Sequence, residues 1–284
     1  MSAVTDNPSV RGSAPTAPEP AARISPATAV QHGLLLTWRS LLRIKSNPEE
    51  VLGLTFMPIM FVALFVFVFG QAMMGDWQTY RDFIIPGITA QSVVFATIGT
   101  GVALNTDIEK GIFDRFRSLP VARSAPLIGA ILGDLVRYLL TVVMVLVVAL
   151  VIGFRPSGGA AGVLGAVAVL MVFAFSLCWL SAFMGLLLRT PMAVNIFGSI
   201  WMFPLTFASS TFVPTENMPG WLQVFADANP VTHVTNAMRS LMLGPDDPSV
   251  TVPLAESLLW SGVWTVLLTA VFFPLATRAY RRRS

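Results

Sequence analysis

Apolar positions in this chain come in long blocks, not in alternation. Six mostly apolar stretches stand out, near 52–74, 83–105, 127–154, 160–188, 192–213 and 254–277. About 20 residues at 1.5 Å each cross the roughly 30 Å hydrocarbon core of a bilayer. Backbone groups find no water there, so each block is expected to be a helix. Pro58, Pro86 and Pro204 fall within blocks, where membrane helices accept proline as a kink. The expected fold is an all-α membrane protein of six transmembrane helices.

The basic residues orient it. With the N-terminus inside, the cytoplasmic set is Arg11, Arg23, Arg39, Arg43, Lys45, Lys110, Arg115, Arg117, Arg123, Arg189, Arg278, Arg281, Arg282 and Arg283. The external set is Arg81, Arg155 and Arg239, and Arg137 lies within the third block. Fourteen against three satisfies the positive-inside rule and places both ends in the cytoplasm. An added or missing span would scramble that sorting.

Three polar stretches have helical periodicity. Over 28–46, Val30, Leu34, Leu35, Trp38, Leu41 and Leu42 share one arc beside His32, Arg39 and Arg43, as in a helix lying in the headgroup layer. Over 106–120, Thr106 and Glu109 have capping-box spacing, which predicts a helix start there. Ile108, Ile112, Phe116 and Leu119 follow at helical spacing, with Phe113 at the edge of the stripe and Pro120 as the stop. Asp107, Lys110, Asp114 and Arg117 take the other side. Such a helix either floats in the headgroups or is gripped by a soluble partner. Over 214–243, Asn229-Pro230 opens a stripe of Val231, Val234, Met238, Leu241 and Met242, with His233, Asn236, Arg239 and Ser240 expected to face away. Gly244-Pro245 closes it. Two short helices dipping into the outer leaflet are expected, preceded in sequence by the fifth block.

Composition fits a membrane protein, with 55% hydrophobic and only 12% charged residues, about half the charge of a soluble domain. A net charge of +3 spread along the chain does not suggest nucleic-acid binding. The Pro-rich stretch 1–29 has no signal-peptide pattern and reads as a disordered cytoplasmic tail. Residues 30–284 then form the membrane domain. The single cysteine, Cys178, reads as apolar packing. No G-x-x-x-x-G-K-[ST] loop occurs, and His32 and His233 fall on opposite sides of the membrane in this topology. The chain is therefore read as non-catalytic, with no metal site.

Polar residues inside the blocks are the remaining candidates. Asp134 and Arg137, three apart, form an expected intramembrane ion pair. Asn195, Ser199, Thr206 and Ser210 fall in one arc of the fifth block with Met202 beside them, as helix-packing glue or as the lining of a pathway. Gly129 with Gly133, and Gly158 with Gly162, have the spacing of close helix contacts.

Ordered motifs across nearly the whole chain beyond residue 30 resemble the ABC-2 type permeases of the daunorubicin-resistance (DrrB-like) branch. They are Asn47-Pro48-Glu49-Glu50 with Phe56-Met57-Pro58 and 64–70, Pro86-Gly87-Ile88, Glu109-Lys110-Gly111 through Arg117-Ser118-Leu119-Pro120-Val121, and Gly133-Asp134-Leu135-Val136-Arg137. Further along come Phe212-Val213-Pro214 through Met218-Pro219-Gly220-Trp221, Asn229-Pro230-Val231-Thr232 and Ala237-Met238-Arg239. The resemblance implies the permease subunit of an ATP-driven exporter of amphipathic or hydrophobic substrates in the inner membrane. It implies a dimer with a second copy or a sister permease. A separate ABC ATPase subunit would carry ATP and Mg, leaving no cofactor on this chain. It makes 106–120 a coupling helix, with Glu109, Lys110, Gly111, Ile112, Phe113, Phe116 and Arg117 as its ATPase contacts. Residues 28–46 become a connecting helix and 214–243 external re-entrant helices. A polymer-exporting permease and a proton-coupled carrier remain the rival readings.

Overall fold

The computed structural model describes residues 48–111 and 125–283, with side chains over 56–111 and 130–280. The tail 1–29, the expected surface helix 28–46 and most of the 106–120 segment lie outside the described residues. Within them the regular structure is entirely helical. Helix α1 (Pro48–Ala63) continues through a π-helical segment (Leu64–Phe69) into α2 (Gly70–Met74). Then come α3 (Trp77–Glu109), α4 (Ala125–Val151), α5 (Gly159–Leu187) and α6 (Pro191–Phe207). A 3-10 turn (Thr215–Asn217) precedes α7 (Gly220–Ala228), α8 (Pro230–Leu243) and α9 (Leu254–Arg283).

Five of these helical stretches are long and apolar enough to cross a membrane: Phe56–Met74, Trp77–Glu109, Ala130–Val151, Gly159–Leu187 and Leu254–Tyr280. The fifth expected block is corrected. Its helix has 17 residues and stops at Phe207 instead of continuing to 213. At 1.5 Å per residue it is about 25 Å long, short of the roughly 30 Å apolar core. The five residues after Ala208 are not helical, and their backbone bonds elsewhere, as described below.

Helix α3 is the axis of the bundle. It starts on an Asp76 cap, whose carboxylate accepts from the Thr79 amide at 2.9 Å, and 78% of its apolar window is buried inside the chain. The comparable share for α9 is 6%, so α9 lies at the periphery. Around α3 pack α5, α6, α4, α8 and α1. The hydroxyls of Thr89, Thr97 and Thr106 donate back to carbonyls of their own helix, so these three stay paired in the apolar interior.

The α3–α5 crossing is a backbone contact. A Cβ added at Gly101 would overlap the Ser181 carbonyl, and one at Gly185 would overlap the Gly101 carbonyl. Gly158 and Gly162 do the same against α8, where both meet the Leu241 carbonyl oxygen. The Gly158 amide donates to the Met242 carbonyl at 2.9 Å, and the Ser157 hydroxyl donates to that of Leu243. The spacing of Gly158 and Gly162 thus marks a real close approach, as small residues do between membrane helices.

Candidate functional site

Helix α8 lies inside the bundle and not on its surface. Asn229 caps it, accepting from the Val231 amide at 2.9 Å, with Pro230 in the first turn. Asn236, Arg239 and Ser240, expected to face away, are all buried. The reason is the irregular stretch 209–213. Its peptide groups lack helical partners, and side chains of α8 and α3 supply them. The Ser210 amide donates to Thr232 Oγ1 at 3.1 Å, and Ser210 Oγ to Asn236 Oδ1 at 2.8 Å. The Tyr80 hydroxyl donates to the Phe212 carbonyl at 3.1 Å. Asn229 Nδ2 reaches the Leu205 and Ala208 carbonyls at 2.7 and 2.8 Å.

Arg239 is the hub of this network. Nε donates to the Phe83 carbonyl at 3.1 Å, Nη1 to Asn236 Oδ1 at 2.8 Å and Nη2 to the Ser210 carbonyl at 2.9 Å. One guanidinium therefore joins α3, α8 and the segment after α6. Irregular backbone at membrane depth is tolerated where protein buries and satisfies it. The run Ala208-Ser209-Ser210-Thr211 carried that signal, because a cluster of small hydroxyl residues breaks an apolar helical pattern.

A second polar cluster sits between α3, α4 and α5. Arg137 Nη1 lies 3.3 Å from Asp134 Oδ1, as the spacing predicts. Thr100 Oγ1 donates to Asp134 Oδ2 at 2.7 Å and lies 2.5 Å from the Tyr138 hydroxyl. The single Thr100 proton serves the carboxylate, so the Tyr138 hydroxyl donates to Thr100. Cys178 Sγ, fully buried, lies 3.8 Å from both hydroxyl oxygens. Local spacing shows the ion pair but not Thr100, which bonds Asp134 from α3, nor Tyr138, which bonds Thr100.

The arc expected on the fifth block does not persist as one surface. Asn195 is exposed and Ser199 half-buried. Met202 and Thr206 are buried, on a stripe with Val194 and Gly198 that faces α3, where Ile98 lies against Gly198. Ser210 lies beyond the helix end, so helical spacing does not place it with the others. The outward face of α6 carries Met192, Ile196, Phe197, Ile200, Trp201 and Phe203.

Beside that face runs a chain of rings. Phe95 meets Phe203 at 5.0 Å between centroids, Phe203 meets Phe207 at 5.5 Å, and Phe207 meets Phe212 at 4.9 Å. Phe212 in turn meets Phe65 at 4.6 Å. The exposed positions of α4 are aliphatic: Leu132, Leu139, Val143, Val147, Leu150 and Val151.

The expected coupling segment is only partly visible. Thr106–Glu109 are the last turn of α3, not a new helix, and the Thr106 hydroxyl bonds back to the Val102 carbonyl at 2.8 Å instead of capping a start. Lys110 closes the helix, its amide donating to the Thr106 carbonyl at 3.0 Å. Gly111 takes a positive φ of 65°, a left-handed conformation that does not continue the helix. The capping-box prediction fails because the apolar pattern of α3 runs through Ile108 without a break. Ile112, Phe113, Phe116 and Arg117 lie outside the described residues.

Helices with apolar outward faces around a hydrogen-bonded interior make this a multi-pass membrane protein. Residues 31–243 match the ABC-2 type transporter family. The daunorubicin resistance ABC transporter permease protein DrrB1 of Streptomyces coeruleorubidus is 40% identical over 266 residues, 91% of this chain and 89% of that protein. The probable doxorubicin resistance ABC transporter permease protein DrrC of Mycobacterium tuberculosis is 27% identical over 259 residues, 90% of each chain. A probable multidrug ABC transporter permease of Escherichia coli, YbhR, is 23% identical over 206 residues, 72% of this chain and 53% of that one. The chain belongs to the ABC-2 type transporter family, as a permease subunit.

Proposed function

We propose that this permease exports hydrophobic or amphipathic drugs, antibiotics or lipid-like natural products from the cytoplasm across the inner membrane. A separate ABC ATPase would power it, holding ATP and Mg on its own chain. The observation that carries this is the 40% identity to a daunorubicin-resistance permease across 91% of the chain. The exposed aromatic side chains of α6 support it chemically, since the stacked pair Phe203 and Phe207 offers planar apolar solutes favourable ring contacts.

In this reading the chain crosses six times with both ends inside. Helix α6 and residues 208–213 together make the fifth crossing, and α7 and α8 re-enter from outside. Trp221, Val224 and Phe225 on α7 are exposed, as an interfacial helix requires. Two permeases, identical or sister chains, pair to form the pathway, with Asn195, Ser199, Met202, Thr206 and Ser210 as candidates for it. The face bearing Asn195 is the outward one and so available to a partner. Glu109, Lys110 and Gly111, with Ile112, Phe113, Phe116 and Arg117, contact the ATPase. Asp134 and Arg137 hold α4 to α3.

The test is doxorubicin uptake into inside-out vesicles holding this permease with its ATPase subunit. ATP-dependent uptake blocked by vanadate is expected. Uptake that ignores vanadate and collapses with a protonophore alone would overturn the reading in favour of a proton-coupled carrier.

A further inference from the structure

The cytoplasmic end of α3 in this reading, the end nearest residues 110–124, holds a buried side chain that no motif singled out. Asn105 is only 1% exposed. Its Nδ2 donates to the Gly185 carbonyl at 2.7 Å and to the Leu188 carbonyl at 2.8 Å. Helix α5 ends at Leu187, so the Gly185 carbonyl belongs to the last turn, whose oxygens lack helical donors. Asn105 therefore caps α5 from a neighbouring helix. Three residues, Leu188, Arg189 and Thr190, separate α5 from α6. Thr190 caps α6, its hydroxyl oxygen accepting from the Ala193 amide at 3.2 Å. One amide thus fastens the α5–α6 joint to α3.

Two further observations make this a mechanical connection. Gly101, one turn before Asn105, has its backbone against Ser181 and Gly185, so α3 and α5 cannot slide past each other there without a backbone clash. Only one turn of helix separates Asn105 from Lys110 and Gly111, where the chain leaves α3. Asn105 Oδ1, by contrast, is buried without a hydrogen-bond partner. A buried acceptor left unmet costs about 1–3 kcal/mol, which a purely packing side chain such as leucine would avoid. The two bonds donated by Nδ2 to the Gly185 and Leu188 carbonyls offset that cost.

We infer that Asn105 is a positioning residue that transmits displacement of the Lys110–Gly111 end of α3 to the α5–α6 joint, and so to α6. The inference rests on the exporter reading for its driving force, but the clamp itself rests on geometry alone. A force on α3 at Lys110 and Gly111 tilts the helix as a rigid rod. The Asn105 amide carries the Leu188 carbonyl with it, and Thr190 turns that shift into a movement of the first turn of α6.

The test uses the full permease with its ATPase subunit, comparing Asn105→Leu, Asn105→Ser and Asn105→Gln. Spin labels go on Ala103→Cys in α3 and Met192→Cys in α6, both at exposed positions. In the parent the label distance should be narrowly distributed without nucleotide and unchanged in the ATP–vanadate state. Asn105→Leu and Asn105→Ser should broaden it or shift it by about 2 Å. Doxorubicin moved per ATP hydrolysed should fall about tenfold, while ATP hydrolysis and assembly persist. Asn105→Gln, which keeps the amide, should recover part of that ratio. A merely structural amide would instead lower assembly, hydrolysis and transport in proportion. That outcome, or an unchanged label distance in both truncated variants, overturns the inference. If parent uptake ignores vanadate the exporter reading fails, and the nucleotide-free label distance still decides the clamp.

Discussion

The Arg239 guanidinium lies 3.8 Å from the centroid of the Phe83 ring and donates through Nε to the carbonyl of that same residue at 3.1 Å. A fully buried cation thus finds a π face and a peptide dipole on one turn of α3. Its two other nitrogens bond Asn236 and the Ser210 carbonyl. Three segments far apart in sequence meet at one planar group, whose fork of donors suits several acceptors at once.

Arg239→Ala should therefore destabilise the protein strongly. It strips donors from two buried carbonyls and opens a cavity beside Phe83, a loss of about 3 kcal/mol. Thermal unfolding in detergent should show a midpoint lower by about 8 °C. Arg239→Lys should recover less than half of it, because one ammonium cannot reach three acceptors in different directions. An unchanged midpoint for Arg239→Lys would show that charge alone matters there.

Block hydropathy carries the helices of this fold because lipid leaves the backbone no other regular choice. It misplaces the end of α6, since hydropathy scores Ala208 to Val213 as apolar and cannot see that α8 and α3 supply their hydrogen bonds. It misjudges Asn236 and Arg239 for a related reason. A polar side chain on a short helix reads as solvent-facing unless its acceptors, here the Phe83 and Ser210 carbonyls, are known. Asp134 with Arg137 was legible because the contact is local, three residues apart. Asn105 was not, because its meaning lies 80 residues away at Gly185.

Gly99 and Gly101 stand two residues apart on α3 and should respond in opposite ways to alanine. Nothing lies within 4 Å of a Cβ at Gly99, whereas one at Gly101 meets the Ser181 carbonyl. Gly99→Ala should leave stability unchanged or raise it by about 0.5–1 kcal/mol through helix propensity. Gly101→Ala must push α5 away and should cost about 1–3 kcal/mol. Comparing their unfolding midpoints isolates the α3–α5 contact from helix propensity.

Asp134 and Arg137 should be energetically coupled. Asp134→Asn alone removes the charge facing Arg137 at 3.3 Å and weakens the acceptor for Thr100, at a cost of about 2 kcal/mol. Arg137→Gln alone leaves a carboxylate with its Thr100 bond but without that cation. The double variant should lose less than the sum of the two by about 1 kcal/mol. Strict additivity in a double-mutant cycle of unfolding free energies would show that the pair does not act as one unit.

Acid should weaken the start of α3 through Asp76. The Thr79 and Gln78 amides, followed by the Thr79 hydroxyl and Arg81, hold its carboxyl below the usual carboxylate range. Its folded value is the lower one, so its stabilising effect is complete above the ordinary carboxylate value and lost as pH falls through the lowered one. The parent should therefore unfold at a higher temperature than Asp76→Ala near pH 7, with the gap closing as pH drops from about 5 to about 3. Asp76→Asn, which caps without titrating, should keep most of its advantage over Asp76→Ala at both ends of that range. A parent-to-alanine gap that stays constant across the same range would show that the cap's charge contributes nothing to the start of the bundle's central helix.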